Sequence, residues 1–283
     1  ENIIKNVHNR HPLIHCITNY VSINDCANIV LACGGAPIMA EDINEVSQIT
    51  SICQGLDINI GMLNDNKLSS MLKAGATANE LGIPVILDPV GAGSSDYRIK
   101  AVQNLMSNVQ FGVIRGNVSE IKAIAEKQGI HNIAAGVYET MQKNKSAMGV
   151  EAGIADDNIK EMADFINKLS QKTGAVIAVT GGIDMVADEN RVYAIRNGHK
   201  MMSLVTGAGC QLSALTSAYV AADKEHILES VCAAVSVMGI SGELAYRRMA
   251  EVDGNASYRN YIIDAVYNMT DETLKELGRI ERI

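Results

Sequence analysis

The chain of 283 residues has no tryptophan, only two phenylalanines and four prolines. Its core must therefore be aliphatic, and a 47% hydrophobic content with thirteen methionines supplies one. Basic clusters are also missing, with nothing beyond Arg247–Arg248 and a formal net charge of −8. An acidic surface attracts neither nucleic acid nor an anionic membrane, so neither is expected as a partner. The apolar stretches, such as Ile29 to Ala40, read as too short and too glycine-rich to span a bilayer. No secretory signal pattern is visible, and the six cysteines (Cys16, Cys26, Cys33, Cys53, Cys210, Cys232) form no C-x-x-C pair. Free thiols in a reducing cytoplasm are the expectation. His8, His11 and His15 lie close to Cys16, but their spacing fits neither an H-E-x-x-H helix nor a zinc finger. They are expected to be core or surface residues.

What is present is alternation. Strand-like runs at Leu13–Thr18, Asp57–Met62, Pro84–Leu87, Phe111–Ile114 and Ala175–Val179 are interleaved with helical patterns. Those patterns cover Asp25–Ala32, about Lys67 to Leu81, Ser119–Lys127 and Asn158–Lys172. This order predicts a parallel sheet with crossover helices, and residues 1–283 are expected to form one domain. Met185–Ala187 and Arg191–Ile195, split by Asp188-Glu189-Asn190, read as a hairpin that interrupts the alternation. After Cys210 the chain reads as almost wholly helical, and Gly129 to Asp157 is its least regular stretch.

Open parallel sheets bind ligands beyond the carboxyl ends of their strands, and polar residues collect at those ends here. Asp88 follows Val85-Ile86-Leu87 and begins DPVGAG, while Arg115, Gly116 and Asn117 follow FGVI. A guanidinium at a strand end calls for an anion. Asn117 and Glu120 form N-x-x-E at a helix start, which serves either as a capping box or to reach a hydrated cation. Thr180 closes AVIAVTGG. Thr206 to Cys210 read TGAGC and open a helical run through Leu212, Leu215, Ala218, Tyr219 and Ala222. A glycine turn feeding a helix leaves backbone N–H groups free beside the positive end of the helix dipole. Gly207, Ala208, Gly209 and Cys210 thus form a candidate anion hole suited to phosphate. Cys210 is the one side chain of the turn placed to accept a proton from an alcohol; the alternative is a tight loop with a buried thiol.

The segments HCITNYVSIND, GGAPIMAED, ILDPVGAG, IRGNVSEI, AVTGGIDMVAD and VTGAGCQLSAL occur in that order between Pro12 and Tyr246. With them the chain resembles the hydroxyethylthiazole kinases, enzymes of thiamin salvage. The resemblance implies an α/β, ribokinase-like fold with a mostly parallel central sheet flanked by helices on both faces. It also implies ATP-dependent phosphorylation of 4-methyl-5-(2-hydroxyethyl)thiazole, Mg²⁺, and a homotrimer with active sites at its subunit interfaces. By the same resemblance, Met39, Gly207 and Asn19 would contact the thiazole. Arg115, Thr180 and Asn117 would serve ATP, and Asp88 and Glu120 would hold the metal. Cys210 stands where most ribokinase-like kinases carry an aspartate base. Gly129 to Asp157 matches the family only loosely.

The implied chemistry suits these residues. Phosphoryl transfer asks mainly for positioning and charge neutralisation. A thiol with a pKa of about 8.5 makes Cys210 an inefficient base, and a spacer role for it stays open. Other readings are a sibling kinase acting on hydroxymethylpyrimidine or a sugar, an ATP- or ADP-dependent nicotinamide-nucleotide-hydrate dehydratase of the same fold, or a binding protein without catalysis. Cys210 in place of aspartate argues against the first two, and the convergence of Arg115, Asp88 and Glu120 against the last.

Overall fold

A computed structural model describes residues 2–130 and 156–283, so most of the Gly129–Asp157 stretch lies outside the described residues. Strands β1 (Leu13–Ile17), β2 (Ala36–Met39), β3 (Gly55–Asn59), β4 (Val85–Asp88), β5 (Val113–Asn117) and β6 (Val176–Thr180) are mutually parallel. β7 (Asp184–Ala187), β8 (Val192–Ile195) and β9 (Ile280–Arg282) continue the same sheet antiparallel, in the order β2-β1-β3-β4-β5-β6-β7-β8-β9. The β7–β8 pair is the expected hairpin, its turn held by Asp188 accepting from the Asn190 and Arg191 amides at 2.8 and 2.6 Å.

The helices before the glycine turn are α1 (Ile3–Arg10), α2 (Ile23–Ala32), α3 (Val46–Ile52), α4 (Asp65–Glu80), α5 (Asp96–Asn108), α6 (Val118–Lys127) and α7 (Asp156–Thr173). After it come α8 (Ala208–Ala222), α9 (Ile227–Arg248), α10 (Asn255–Tyr267) and α11 (Asp271–Leu277). Strand side chains alternate between two cores. Ile86, Val113 and Ala178 face the cluster that α1, α2, α8, α9 and α10 close, while Val85, Leu87 and Ile114 face the one under α3 to α7. Strands covered on both faces read as continuous apolar runs, which explains VIL and AVIAV.

Several elements differ from the sequence reading. The second predicted strand lies at Gly55–Asn59, because Gly61 opens the turn into α4 that was read as strand. β2, α1, α3 and α5 are additional, and β9 interrupts the helical C-terminal part. The apolar stretches also include one missed above. α9 is long and apolar enough to cross a membrane, but 78% of its apolar window is buried, so it reads as a core helix. Of the histidines, His15 is buried and His11 caps Gly34 O at 2.9 Å. Among the described residues no group of three or more His, Cys, Asp or Glu is placed to hold a metal, and all six cysteines are free and buried.

Candidate active site

The carboxyl ends of β1, β3, β4, β5 and β6 lie along one edge, and five polar side chains project there in bonded sequence. Arg115 follows Ile114, the register partner of Leu87, which brings it beside Asp88. Its Nη2 donates to Thr180 Oγ1 at 3.1 Å and its Nη1 pairs with Asp88 Oδ1 at 3.4 Å. Asn59, register partner of Asp88, donates through Nδ2 to Asp88 Oδ2 at 2.7 Å. Asn19, one residue beyond Thr18, donates through Nδ2 to Asn59 Oδ1 at 3.1 Å and to Cys210 Sγ at 3.2 Å. A continuous line thus runs from Thr180 to Cys210 across five strand ends.

The glycine turn closes this line from above. Gly207 has φ 79°, a left-handed conformation that glycine adopts without strain, and it caps α8. A Cβ there would stand 2.7 Å from Ser22 Cβ. The amides of Gly209 and Cys210 stand in the first turn of α8, where no intrahelical carbonyl reaches them, while Ala208 N donates to Val205 O at 3.4 Å. Against them lies the Arg115 guanidinium, whose Nε is buried without a hydrogen-bond partner. Buried donors of this kind are rare and costly unless a ligand completes them. Orphaned donors, a helix end and a guanidinium at one spot form an anion cradle.

Burial raises the Asp88 carboxyl to about 6; Arg115 opposes the shift, and the negative charge of Glu120 adds to it. Glu120 itself closes a complete capping box: its Oε2 accepts from Asn117 N at 2.8 Å, and Asn117 Oδ1 accepts from Glu120 N at 3.0 Å. Its Oε1 accepts from Gly91 N at 2.9 Å, tying the DPVGAG turn to α6. The capping alternative for Asn117 and Glu120 is thus realised, and the carboxylate charge still reaches Asp88. A buried carboxyl whose ionisation is disfavoured by a second carboxylate nearby fits a divalent cation. With only two, the ion would take its remaining ligands from phosphate and water, as Mg²⁺ commonly does.

Cys210 is 8% exposed, and its thiol is pushed up by burial and by Asp88, against hydrogen bonds from Ser22, Asn59 and Asn19. The thiolate fraction at neutral pH is therefore smaller than the helix position alone implies. Met39 ends β2 opposite Cys16, partly exposed at the same edge. The next carbonyl, Ala40 O, accepts from His15 Nε2 at 2.8 Å. All the candidate residues named from the sequence fall at this edge. Asn59, Ser22 and Asp57 were not among them. Asp57 is fully buried on β3 with both carboxyl oxygens unpartnered, and burial, with Asp88 nearby, raises its carboxyl well above the ordinary value. A polar residue inside an apolar strand run was the available signal for Asp57 and Asn59.

The chain matches the model of the hydroxyethylthiazole kinase family over residues 4–272. It is 51% identical to the hydroxyethylthiazole kinase of Clostridium acetobutylicum, covering 98% of this chain and 97% of that one. Identity to the Ruminiclostridium cellulolyticum hydroxyethylthiazole kinase is 43%, over 99% and 96%. The structure of the hydroxyethylthiazole kinase protein from Pyrococcus horikoshii OT3 superposes with a TM-score of 0.85 at 30% identity, covering 100% of this chain and 98% of that one. The Staphylococcus aureus pyridoxal kinase in complex with AMP-PCP and pyridoxal, at 13% identity and a TM-score of 0.59 over 96% and 98%, shares the fold. An α/β architecture with a mostly parallel sheet, common to such kinases, thus agrees with relatives alike over nearly their whole length, and the chain belongs to the hydroxyethylthiazole kinase family.

Proposed function

We propose that the protein transfers the γ-phosphoryl group of ATP to the hydroxyl of 4-methyl-5-(2-hydroxyethyl)thiazole, as a single ribokinase-like domain acting in the cytoplasm. The observation that carries this reading is the contact of Arg115 with the TGAGC backbone, flanked by Thr180, Asp88 and, through Asn19, Cys210. The amides of Ala208, Gly209 and Cys210 bind the oxygens of the transferring group, and Arg115 with Thr180 holds the phosphates behind it. Asp88 and Glu120 would hold Mg²⁺, which when bound neutralises phosphate charge. Asn117 fixes the start of α6 and the position of Glu120. Asn19, Met39 and Gly207 shape the thiazole site, and Cys210, held by Asn19, faces the alcohol.

Family membership favours this acceptor over a sibling kinase's substrate or a dehydratase reaction. An ADP-release assay run with the thiazole alcohol, with hydroxymethylpyrimidine and without acceptor tests the reading. ADP release dependent on the thiazole alcohol is expected; equal release without acceptor overturns it. A homotrimer with sites at its interfaces is part of the proposal. Tyr20 and Val21, 55% and 65% exposed beside Asn19, are apolar surface suited to a second subunit. Light scattering should give a trimer; an active monomer would sink that part.

A further inference from the structure

Lys67 is a lysine placed where elementary physical chemistry disfavours one. It is 3% exposed, and it lies in the first turn of α4, where the helix dipole repels a cation. Its ammonium is nonetheless fully engaged. It donates to Thr18 O, pairs with Glu41 Oε2 at 2.8 Å, and stands 4.7 Å from the centre of the Tyr20 ring. The Tyr20 hydroxyl in turn donates to Glu41. Hydrogen bonding to Lys67 and Tyr20 outweighs the burial of Glu41 and holds its carboxyl below the usual range.

The partners show what the arrangement does. Thr18 precedes Asn19 in the loop after β1, and Glu41 is two residues beyond Met39 in the loop after β2. One side chain of α4 therefore ties together the two loops that carry Asn19 and Met39. The remainder of each loop is held separately: Asn19 Oδ1 accepts from the Val21 and Ser22 amides at 3.1 Å, Ala40 O is bonded to His15, and Lys73, also on α4, donates to Ile43 O at 2.9 Å. Only Lys67 and its partners Glu41 and Tyr20 link the two loops directly among the bonds described. An ion pair that buries its lysine is seldom superior to apolar packing for stability. A gain in stability is thus a poor reason for a lysine here, whereas fixing the separation of two loops is a sufficient one.

We propose that Lys67, clasped by Glu41 and Tyr20, is a positioning residue that sets the gap between the Asn19 and Met39 loops and thereby pre-forms the acceptor site. The inference rests on the acceptor-site reading given above. With the clasp removed, ordering of both loops has to occur when the acceptor binds, which weakens binding of the acceptor and not of ATP.

The test compares Lys67→Met and the milder, more exposed change Glu41→Gln with the parent full-length protein. The parent is first assayed with the thiazole alcohol; no acceptor-dependent turnover there defeats the functional reading, independently of the clasp. With turnover present, Lys67→Met should raise the KM for the alcohol by about tenfold, with kcat and the KM for ATP within about twofold of the parent. Glu41→Gln should move the same constant in the same direction by less. Hydrogen exchange, which needs no turnover, should quicken in residues 18–22 and 39–45 and remain unchanged in α8. An unchanged KM for the alcohol in both variants, or faster exchange throughout the molecule, overturns the proposal. Should Lys67→Met not fold, Glu41→Gln decides by the same two readouts.

Discussion

The guanidinium of Arg115 lies on the backbone of Gly209, so close that a Cβ at that position would stand 2.8 Å from Nη2 and 3.0 Å from Nη1. Gly209 has no positive φ; it is an ordinary helical residue, and glycine is needed there for the space alone. This separates stability from function. Gly209→Ala replaces a poor helix former by the best one, a gain of up to about 1 kcal/mol in an unstrained site. It also forces Arg115 away from the anion cradle. Thermal unfolding is expected to hold level or rise while turnover falls at least about tenfold, since displacement of a reacting contact by an ångström is enough for that. Unchanged turnover would show that the contact plays no part in the reaction.

Arg115→Ala removes the cation from Thr180, Asp88 and the cradle at once. A charge-assisted phosphate contact of this kind is worth about 3 kcal/mol of transition-state stabilisation, so kcat should fall on the order of a hundredfold. The proposed thiazole site of Asn19, Met39 and Gly207 should keep its affinity. Calorimetry that finds thiazole binding lost and ATP binding intact would reverse the assignment of Arg115.

The pH dependence follows from Asp88. Its folded pKa of about 6 lies above the ordinary carboxyl value of 3.8. The folded protein therefore holds this proton more tightly than the unfolded chain does. The stability it contributes is complete below about pH 4 and is lost as pH rises to about 6, after which the dependence is flat. Asp57, also raised by burial, acts in the same direction. Activity should run the opposite way, because the proposed cation and phosphate site needs the Asp88 carboxylate. kcat/KM for ATP should climb through an acid limb near pH 6 in the parent, and Asp88→Asn should flatten that limb along with most of the activity. A limb that persists unchanged in Asp88→Asn would assign it to another group.

Much of this edge was legible in the chain because apolar strand runs stop on polar residues there: Val85-Ile86-Leu87 on Asp88, Ala175 to Val179 on Thr180. Apolar runs of this kind show where a covered strand ends, and ligands bind at such ends. What was not legible is long-range. β2 is four partly exposed residues between Gly35 and Ala40, recognisable only once β1 lies beside it. β9 is wholly exposed and owes its strand form to pairing with β8. Asn59 gains its role from bonds to Asp88 and Asn19, 29 and 40 residues away, and no local pattern encodes such partners. Lys67 is the extreme case, since a lysine three residues into an amphipathic helix reads as solvent-facing until Thr18 and Glu41 are seen around it.

Cys210 admits two roles that its variants separate. Burial and Asp88 push the thiol up, and Asn19 donates to its sulfur, so at neutral pH it is a protonated, hydrogen-bonded group. A base of this kind assists only as the alcohol proton departs, and general-base help of about 10²–10⁴-fold is available only to a well-matched one. Cys210→Ala should therefore lower kcat by less than about a hundredfold. Cys210→Asp introduces a carboxylate of reference pKa about 3.9, within reach of the Asn19 amide that already donates to the sulfur. That variant should retain or exceed parental activity, with some of the gain offset by repulsion from Asp88. The pH profile adds a second readout: the weak basic rise attributable to the thiol should vanish in both variants, while the acid limb from Asp88 stays. If Ala and Ser variants matched the parent and Asp abolished activity, Cys210 would be a spacer that leaves room for the hydroxyethyl arm. The helix-end amides, with Arg115, would then carry the transfer without a protein base.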